Sequence, residues 1–322
     1  CNIKINIEGD LMIKVVFIGT PEFSVPILEK LIENKKDYSV VGVVSQPDKK
    51  VGRKQILTPS PVSKVALDNN IFLLRPVKIK EEYTKIKELN PDIIITCAYG
   101  QIIPKDLLDY PKYGCINVHP SLLPKLRGGA PVHRALINGF TKTGVTIMYM
   151  DVEMDAGDII SQRSLDILDS DNLDSLNIKL SNLGTELLME TLPRIIDKTS
   201  KRIKQNPKEV TYGYNIKKEE EHIDFEKTSR EVFNQVRGLS STPGAYATLD
   251  DKVIKIYSGY IGKDIKGTPG QISNLYKDGI GVFTSSGEYV ITELQEAGKK
   301  RIPAKMYLNG KNKEELLQKR FK

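Results

Sequence analysis

The sequence predicts an α/β chain, with a mostly parallel sheet covered by helices on both faces and then a small antiparallel β-barrel. Three observations predict it. Short apolar runs alternate with helix-period segments over the first two hundred residues. A polar stretch without periodicity follows at 201–219. Beyond it, short strand-like runs recur at close intervals, separated by glycine-bearing turns. At 322 residues the chain is long enough for two cores.

Element by element, "VVFIGT" (15–20) reads as a buried strand, and "FSVPILEKLIEN" (23–34) as a helix with Phe23, Ile27 and Leu31 on one face. "VVGVVS" (40–45), "IFLL" (71–74), "DIIITCA" (92–98), "CINVH" (115–119) and "GVTIMYM" (144–150) are the further strands. "IKEEYTKIKEL" (79–89) and "PVHRALING" (131–139) are helices among them. A long helix from about Asp171 to Ile196, capped by Ser170 or Asp171, closes a first domain assigned to 12–200. Residues 201–219 read as a linker and 220–322 as the second domain. There the helix "TSREVFNQVRGL" (228–239) precedes five strands, "GAYATL", "KVIKIYSGYI", "GQISNLY", "GIGVFTS" and "YVITELQ". Such a barrel is commonly of the oligonucleotide-binding (OB) type.

Apolar content of 39% and charged content of 28% belong to an ordinary globular protein, and the apolar runs are far too short to span a membrane. Cysteines at 1, 97 and 115 form neither a disulfide framework nor a metal pattern, which points to the cytoplasm. Residues 1–11 lack the apolar core of a secretory signal, and Met12 reads as the natural start. The net charge is +7. Residues 1–200 carry 25 basic and 25 acidic side chains against 23 and 16 in 201–322, so the excess lies wholly in the C-terminal part. A polyanion, nucleic acid first, is the partner such asymmetry suggests; a solvated basic surface explains it equally well.

The chemistry concentrates in "GCINVHPSLLPKLRGGAP" (114–131). Asn117 and His119 stand at i and i+2 on one strand, so they share a face, and Pro120 ends the strand there. In open α/β sheets ligands bind at the strands' carboxyl ends. "MDVEMDAGDII" (150–160) sets Asp155 in a turn that can reach the imidazole. A carboxylate there orients the ring and favours imidazolium, while the Asn117 amide can donate to an oxygen that turns negative in a tetrahedral intermediate. Together they suit acyl transfer to an amine without a covalent enzyme intermediate. The residues alone leave the plainer alternative open, a hydrogen-bonded histidine that merely finishes a strand. No Ser or Cys nucleophile is well placed, His133 and His222 read as structural, and no spacing suggests a metal site. "FIGTPEF" holds only Gly19 where a dinucleotide fingerprint needs three glycines, so a nicotinamide cofactor is unsupported.

"NVHPSLLPKLRGGAPVHRALINGFTKTGVTIMYMDVEMDAGDII" (117–160) resembles the core of the folate-dependent formyltransferases, with its Asn-x-His, Ser-Leu-Leu-Pro and late Asp-x-Gly-Asp. "FIGTPEFSVPILEKL", "SQPDKKVGRK", "TPSPV", "AYGQIIP" and "QEAGKKRIPAKMYLNG" are similar in order to the branch of that family that acts on methionyl initiator tRNA, over about 13–315. The resemblance implies a Rossmann-like catalytic domain joined to an OB-like, tRNA-holding one. It implies formyl transfer from 10-formyltetrahydrofolate to the α-amine of methionyl initiator tRNA, with no metal, by a cytoplasmic protein expected to be a monomer. Asn117, His119 and Asp155 would be catalytic. Ser121, Leu122, Leu123 and Pro124 would contact the folate, and Tyr99, Gly100, Gln101 and Ile102 would line the pterin pocket. The loop "KKVGRK" (49–54), by itself a flexible basic turn, would enter the acceptor stem through Arg53 with Lys49, Lys50 and Lys54. Lys299, Lys300, Arg301 and Lys305 are expected to track the RNA backbone. Two other readings stand beside this one. The first is a hydrolase, or a transferase to a small-molecule amine, on the same core. The second is a nucleic-acid-binding module with an inactive enzyme-like domain.

Overall fold

The computed structural model describes residues 12–52 and 54–322. The reading of Met12 as the start depends on residues 1–11, which lie outside the described residues, as does Arg53. The chain runs β1 (Ile13–Gly19), α1 (Val25–Glu33), β2 (Tyr38–Val44), β3 (Lys49–Val51), β4 (Ile56–Thr58), α2 (Pro61–Asp68) and β5 (Leu73–Leu74). Then come α3 (Ile79–Glu82), α4 (Thr84–Glu88), β6 (Ile93–Cys97), α5 (Lys105–Leu108), β7 (Cys115–His119), α6 (Pro131–Ile137), β8 (Lys142–Tyr149), β9 (Ile159–Asp166) and α7 (Leu173–Ile196). The chain divides into two compact units. One holds the chain up to Gly129 with 143–165 and 177–212; the other holds 130–142, 166–176 and 213–322.

The first unit is built on a seven-stranded sheet in the order β5-β2-β1-β6-β7-β8-β9. From β5 to β7 every pair is parallel, and β7 to β8 is antiparallel, so the sheet is mixed at one side. Strands β1 and β6 are buried almost throughout, as covering on both faces requires. Strand order reverses about β1, which puts a crevice at the carboxyl ends of β1 and β6, next to β7. Gly19 ends β1 there, and a Cβ on it would sit 2.9 Å from the Cys97 carbonyl oxygen, so glycine is what allows the two strand ends to approach. Helix starts follow local rules. In α2 the Ser60 hydroxyl accepts from the Ser63 N–H with Pro61 at the first turn, and α1 buries Ile27, Leu28 and Leu31 on one face.

The second unit contains α8 (Ser229–Leu239), β10 (Ala245–Leu249), β11 (Lys252–Ile261), β12 (Ile272–Leu275), β13 (Ile280–Phe283), β14 (Glu288–Glu296), β15 (Ile302–Pro303), α9 (Ala304–Leu308) and α10 (Lys313–Leu317). Its strands pair antiparallel in the order β10-β11-β14-β13-β12, with β15 also on β14. Register shifts at Ile256, Ser258 and Gly259 in β11 are bulges of the kind that curl a sheet toward a barrel. A capping box between Thr228 and Glu231 starts α8, whose Val232, Val236 and Leu239 join the core of the sheet. Inside, the buried Glu288 carboxylate accepts from the Ser273 hydroxyl, the Tyr276 hydroxyl and the Lys263 N–H. A buried charge needs such satisfaction.

In the same unit Arg134 grips Glu220 with both terminal nitrogens, at 2.6 and 2.9 Å. That hydrogen bonding, ahead of opposing desolvation, holds the Glu220 carboxyl down at about 2. Its folded value lies below the unfolded one, so the stabilisation is complete above about pH 4.5 and is lost as pH falls toward 2. At 37% side-chain exposure, screening reduces it to roughly 1–2 kcal/mol. Urea unfolding of Glu220→Gln at pH 5 and pH 3 is expected to show less loss of stability on acidification than the native chain. Equal losses would remove the pair from the acid response.

Candidate active site

Alternation along β7 sends Val118 one way and Asn117 and His119 the other. Gly184 of α7 fills the first side, where a Cβ would come within 3.0 Å of the Val118 side chain. The helix thereby closes one face, and the two polar side chains occupy the opposite one. Asn117 pairs in register with Thr96 of β6. The buried Thr96 hydroxyl lies 2.8 Å from the Asn117 Oδ1, nearer than the Ile116 carbonyl or the Met150 sulfur, both at 3.1 Å. With its oxygen occupied as acceptor, the Asn117 amide keeps both N–H groups for another partner.

His119 is buried, and its Nε2 lies 3.1 Å from the Leu126 carbonyl oxygen. A carbonyl only accepts, so Nε2 carries a proton and donates it. Nδ1 is left as the other working edge. It faces the Asp155 Oδ2 at 3.6 Å, an ion-pair separation too long for a direct hydrogen bond. The same carboxylate oxygen accepts from the Gly128 N–H at 2.7 Å.

Three residues here hold left-handed backbone angles that side chains rarely adopt: Ala98 (φ 50°), Leu126 (φ 58°) and Asp155 (φ 51°). Each costs about 1–3 kcal/mol, and such strain gathers where function demands a geometry. Leu126 presents the carbonyl that His119 needs, and Asp155 presents the carboxylate. Ala98 turns the chain out of β6 into the loop at the sheet edge.

Two segments hold these turns. Thr146, fully buried on β8, donates to the Ser121 carbonyl (2.7 Å) and accepts from the Leu123 N–H (3.1 Å) and the Gln162 amide (2.8 Å). The stretch 203–212, expected as part of a linker, is the second. Its Ile203 bridges Ile159, and its Thr211 binds Leu126 N–H through the hydroxyl (2.9 Å) and Arg127 N–H through the carbonyl (2.9 Å). Thr96, Leu126, Arg127, Gln205 and Thr211 hydrogen-bond around the candidate site and were missed by sequence reasoning. Of these only Thr96, a lone polar residue in "IIITC", and Arg127, in "LRGG", carried any signal.

The residues expected to meet folate divide by what their atoms do. The Tyr99 ring is buried in a core cluster with Ile79 and Ile86. Its hydroxyl has no hydrogen-bond partner among the described residues, and burial, with Glu82 second, pushes it up to about 12. Gln46 holds the Tyr99 carbonyl (3.0 Å), and Gln101 is occupied with the Ile79 N–H (2.8 Å). The main-chain groups of Gly100, Gln101 and Ile102 make no hydrogen bond among the described residues, and the Ile102 side chain is 76% exposed. An apolar edge beside free main-chain donors and acceptors fits a flat heterocycle. The Ser121 hydroxyl is spent on the Lys125 carbonyl (2.6 Å), and Leu123 packs with Met148 and Ile159. Leu122 and Pro124 are half-buried.

Strands β3 and β4 form a two-stranded hairpin where a flexible basic loop was expected. Lys49, Lys50 and Lys54 are exposed on it, beside the exposed Val51, Ile56 and Leu57. In the second unit Lys299 pairs with Glu296, and Arg301 pairs with Glu293 (2.5 Å) over the Tyr257 ring, which leaves less of their charge for a partner. Lys300 and Lys305 stand exposed without an ion pair among the described residues. Burial pushes the Cys97 thiol up to about 12 and raises Cys115 as well, so neither is a thiolate near neutrality. A cavity of about 580 Å3, bordered by Tyr113, Cys115, Tyr149 and Arg202, opens at the amino end of β7 and does not border His119. Among the described residues, no three His, Cys, Asp or Glu side chains are placed to hold a metal, and no helix is long and apolar enough to cross a membrane.

Residues 13–192 match the family model described as formyl transferase, and 215–312 match the formyl transferase C-terminal domain. The chain is 51% identical over 303 residues to the methionyl-tRNA formyltransferase of Bacillus cereus strain G9842, spanning 93% of this chain and 96% of that protein. Among solved structures, the N-formyltransferase of Helicobacter canadensis aligns with a TM-score of 0.66 at 23% identity, over 88% of this chain and all of that one. The methionyl-tRNA formyltransferase of Clostridium thermocellum aligns with a TM-score of 0.55 at 19% identity, over 78% and 94%. At those identities the structures establish a shared fold. The sheet with its polar pair at the end of β7, the two matched domains and the half-identical relatives agree on one conclusion: this chain belongs to the formyl transferase family.

Proposed function

We propose that this chain transfers the formyl group of 10-formyltetrahydrofolate to the α-amino group of methionyl initiator tRNA. The observation that carries the reading is the convergence of Asn117, His119 and Asp155 in a chain half-identical over nearly its full length to proteins of that activity. The bound donor supplies an activated one-carbon acyl unit, cradled by the main chain of Gly100–Ile102 and the turn Ser121–Pro124. Asn117 Nδ2, its oxygen tied back by Thr96, donates to the formyl oxygen as charge gathers there. His119 is pinned through Nε2 on Leu126, so any proton it moves passes at Nδ1. Asp155 keeps a charge opposite that nitrogen, and the 3.6 Å gap admits a proton relay through the amine or a water. Lys49, Lys50, Arg53 and Lys54 bind acceptor-stem phosphates, and in the second unit Lys299, Lys300, Arg301 and Lys305 are the residues we assign to the RNA backbone.

Labelled formyl donor offered with methionyl initiator tRNA or with free small amines decides the acceptor. Label is expected on the tRNA; label only on a small amine would overturn the reading in favour of the alternative acceptor. Replacing Lys49, Lys50, Arg53 and Lys54 by alanine should raise KM for the tRNA about tenfold or more at moderate salt with kcat little changed. The salt dependence should flatten by about 0.9 in log–log slope for each phosphate no longer neutralised. An unchanged slope would assign the hairpin no phosphates.

A further inference from the structure

We infer that Gln205, on the stretch expected as a linker, is a positioning residue for Asp155. The inference rests on the reading of Asp155 as catalytic. The Gln205 amide nitrogen donates to the Asp155 carbonyl at 2.7 Å and to the Gly157 carbonyl at 2.8 Å. Its oxygen accepts from Arg127 Nε at 2.9 Å. This orientation has no ambiguity, because Arg127 can only donate and the two carbonyls can only accept. Arg127 is itself 7% exposed and reaches Glu153 at 3.2 Å, so the guanidinium is fixed from both sides of the turn.

The clamp falls where the chain most needs one. Asp155 lies between two strained requirements, its own φ of 51° and the close turn at Gly157, where a Cβ would stand 1.9 Å from the Tyr149 carbonyl oxygen. A free turn would relax the left-handed residue and swing its carboxylate off His119. Gln205 grips the carbonyls on both sides of Ala156 and ties them to Arg127. Arg127 directly precedes Gly128, whose N–H holds the Asp155 carboxylate. One side chain thus joins the turn that carries the carboxylate to the turn that carries the Leu126 carbonyl. Both ring nitrogens of His119 are placed by elements that meet at Gln205.

The test uses the full chain with methionyl initiator tRNA and the formyl-folate donor. Gln205→Glu keeps size and the Arg127 partner but sets acceptors against two carbonyls; Gln205→Met keeps length and removes both donors. Each is expected to lower kcat 10- to 100-fold, with KM for donor and tRNA within twofold and the thermal midpoint little changed. Combined with Asp155→Ala, either should lower activity no further than Asp155→Ala alone. Wild-type kcat in both variants, multiplication of their losses with that of Asp155→Ala, or unfolding of both would overturn the role. Near-normal turnover of Asp155→Ala by itself would instead remove the catalytic reading on which the role stands, whatever Gln205 does.

Discussion

His119→Ala is expected to lower kcat by about three orders of magnitude while KM for the tRNA changes less than threefold. The size follows from what is removed. Proton transfer by a positioned side chain contributes about 10²–10⁴, and the only described groups that face this ring's nitrogens are the Leu126 carbonyl and the Asp155 carboxylate, neither of which replaces an N–H. The alanine variant also leaves Asp155 with one firm partner, the Gly128 N–H. Asp155→Asn is the sharper companion. It keeps an oxygen for Gly128 and removes only the charge opposite Nδ1, and about a hundredfold loss in kcat is expected. Single-turnover rates with saturating donor would separate this chemistry from product release. If His119→Ala retains a tenth of the native rate, the histidine is the plain strand-end residue that its position also allows.

Much of this was legible in the sequence, for a simple reason. Parallel strands buried on both faces must be apolar throughout, so the polar pair in "CINVH" stood out against its own strand. Period-two alternation then required Asn117 and His119 to share a face. The antiparallel turn of β8 was not legible, because "GVTIMYM" is equally apolar in either direction. The hairpin at 49–58 was hidden for the opposite reason: its strands are exposed and three residues long, with no buried face to impose a pattern. The burial of the Tyr99 ring was not legible, because a strand-end loop position says where the main chain goes and not where a ring can be buried. Gln205 and Thr211 escaped notice because they act through hydrogen bonds to residues 48 to 85 positions away, and no local pattern encodes such pairings.

Asn117→Ala is expected to cost 10²–10³ in kcat, about 3–4 kcal/mol of barrier, the range found when one donor to a developing oxyanion is removed. Comparison with Asn117→Asp decides whether donation is the cause. A carboxylate retains the shape and still accepts from the Thr96 hydroxyl, which lies 2.8 Å from the native side-chain oxygen. It has no proton to give and sets negative charge where negative charge must grow. If Asn117 only fills space beside His119, Asp should restore most of what Ala loses. If it stabilises an oxyanion, Asp must be no better than Ala, and adding salt should not rescue it, because a half-buried charge is poorly screened. Thr96→Val grades the same effect. It leaves volume and strand intact while freeing the amide to turn its oxygen toward the substrate, so a loss of several-fold to tenfold in kcat with an unchanged thermal midpoint is expected. In the Asn117→Ala background that loss should vanish, since Thr96 then has no amide left to orient.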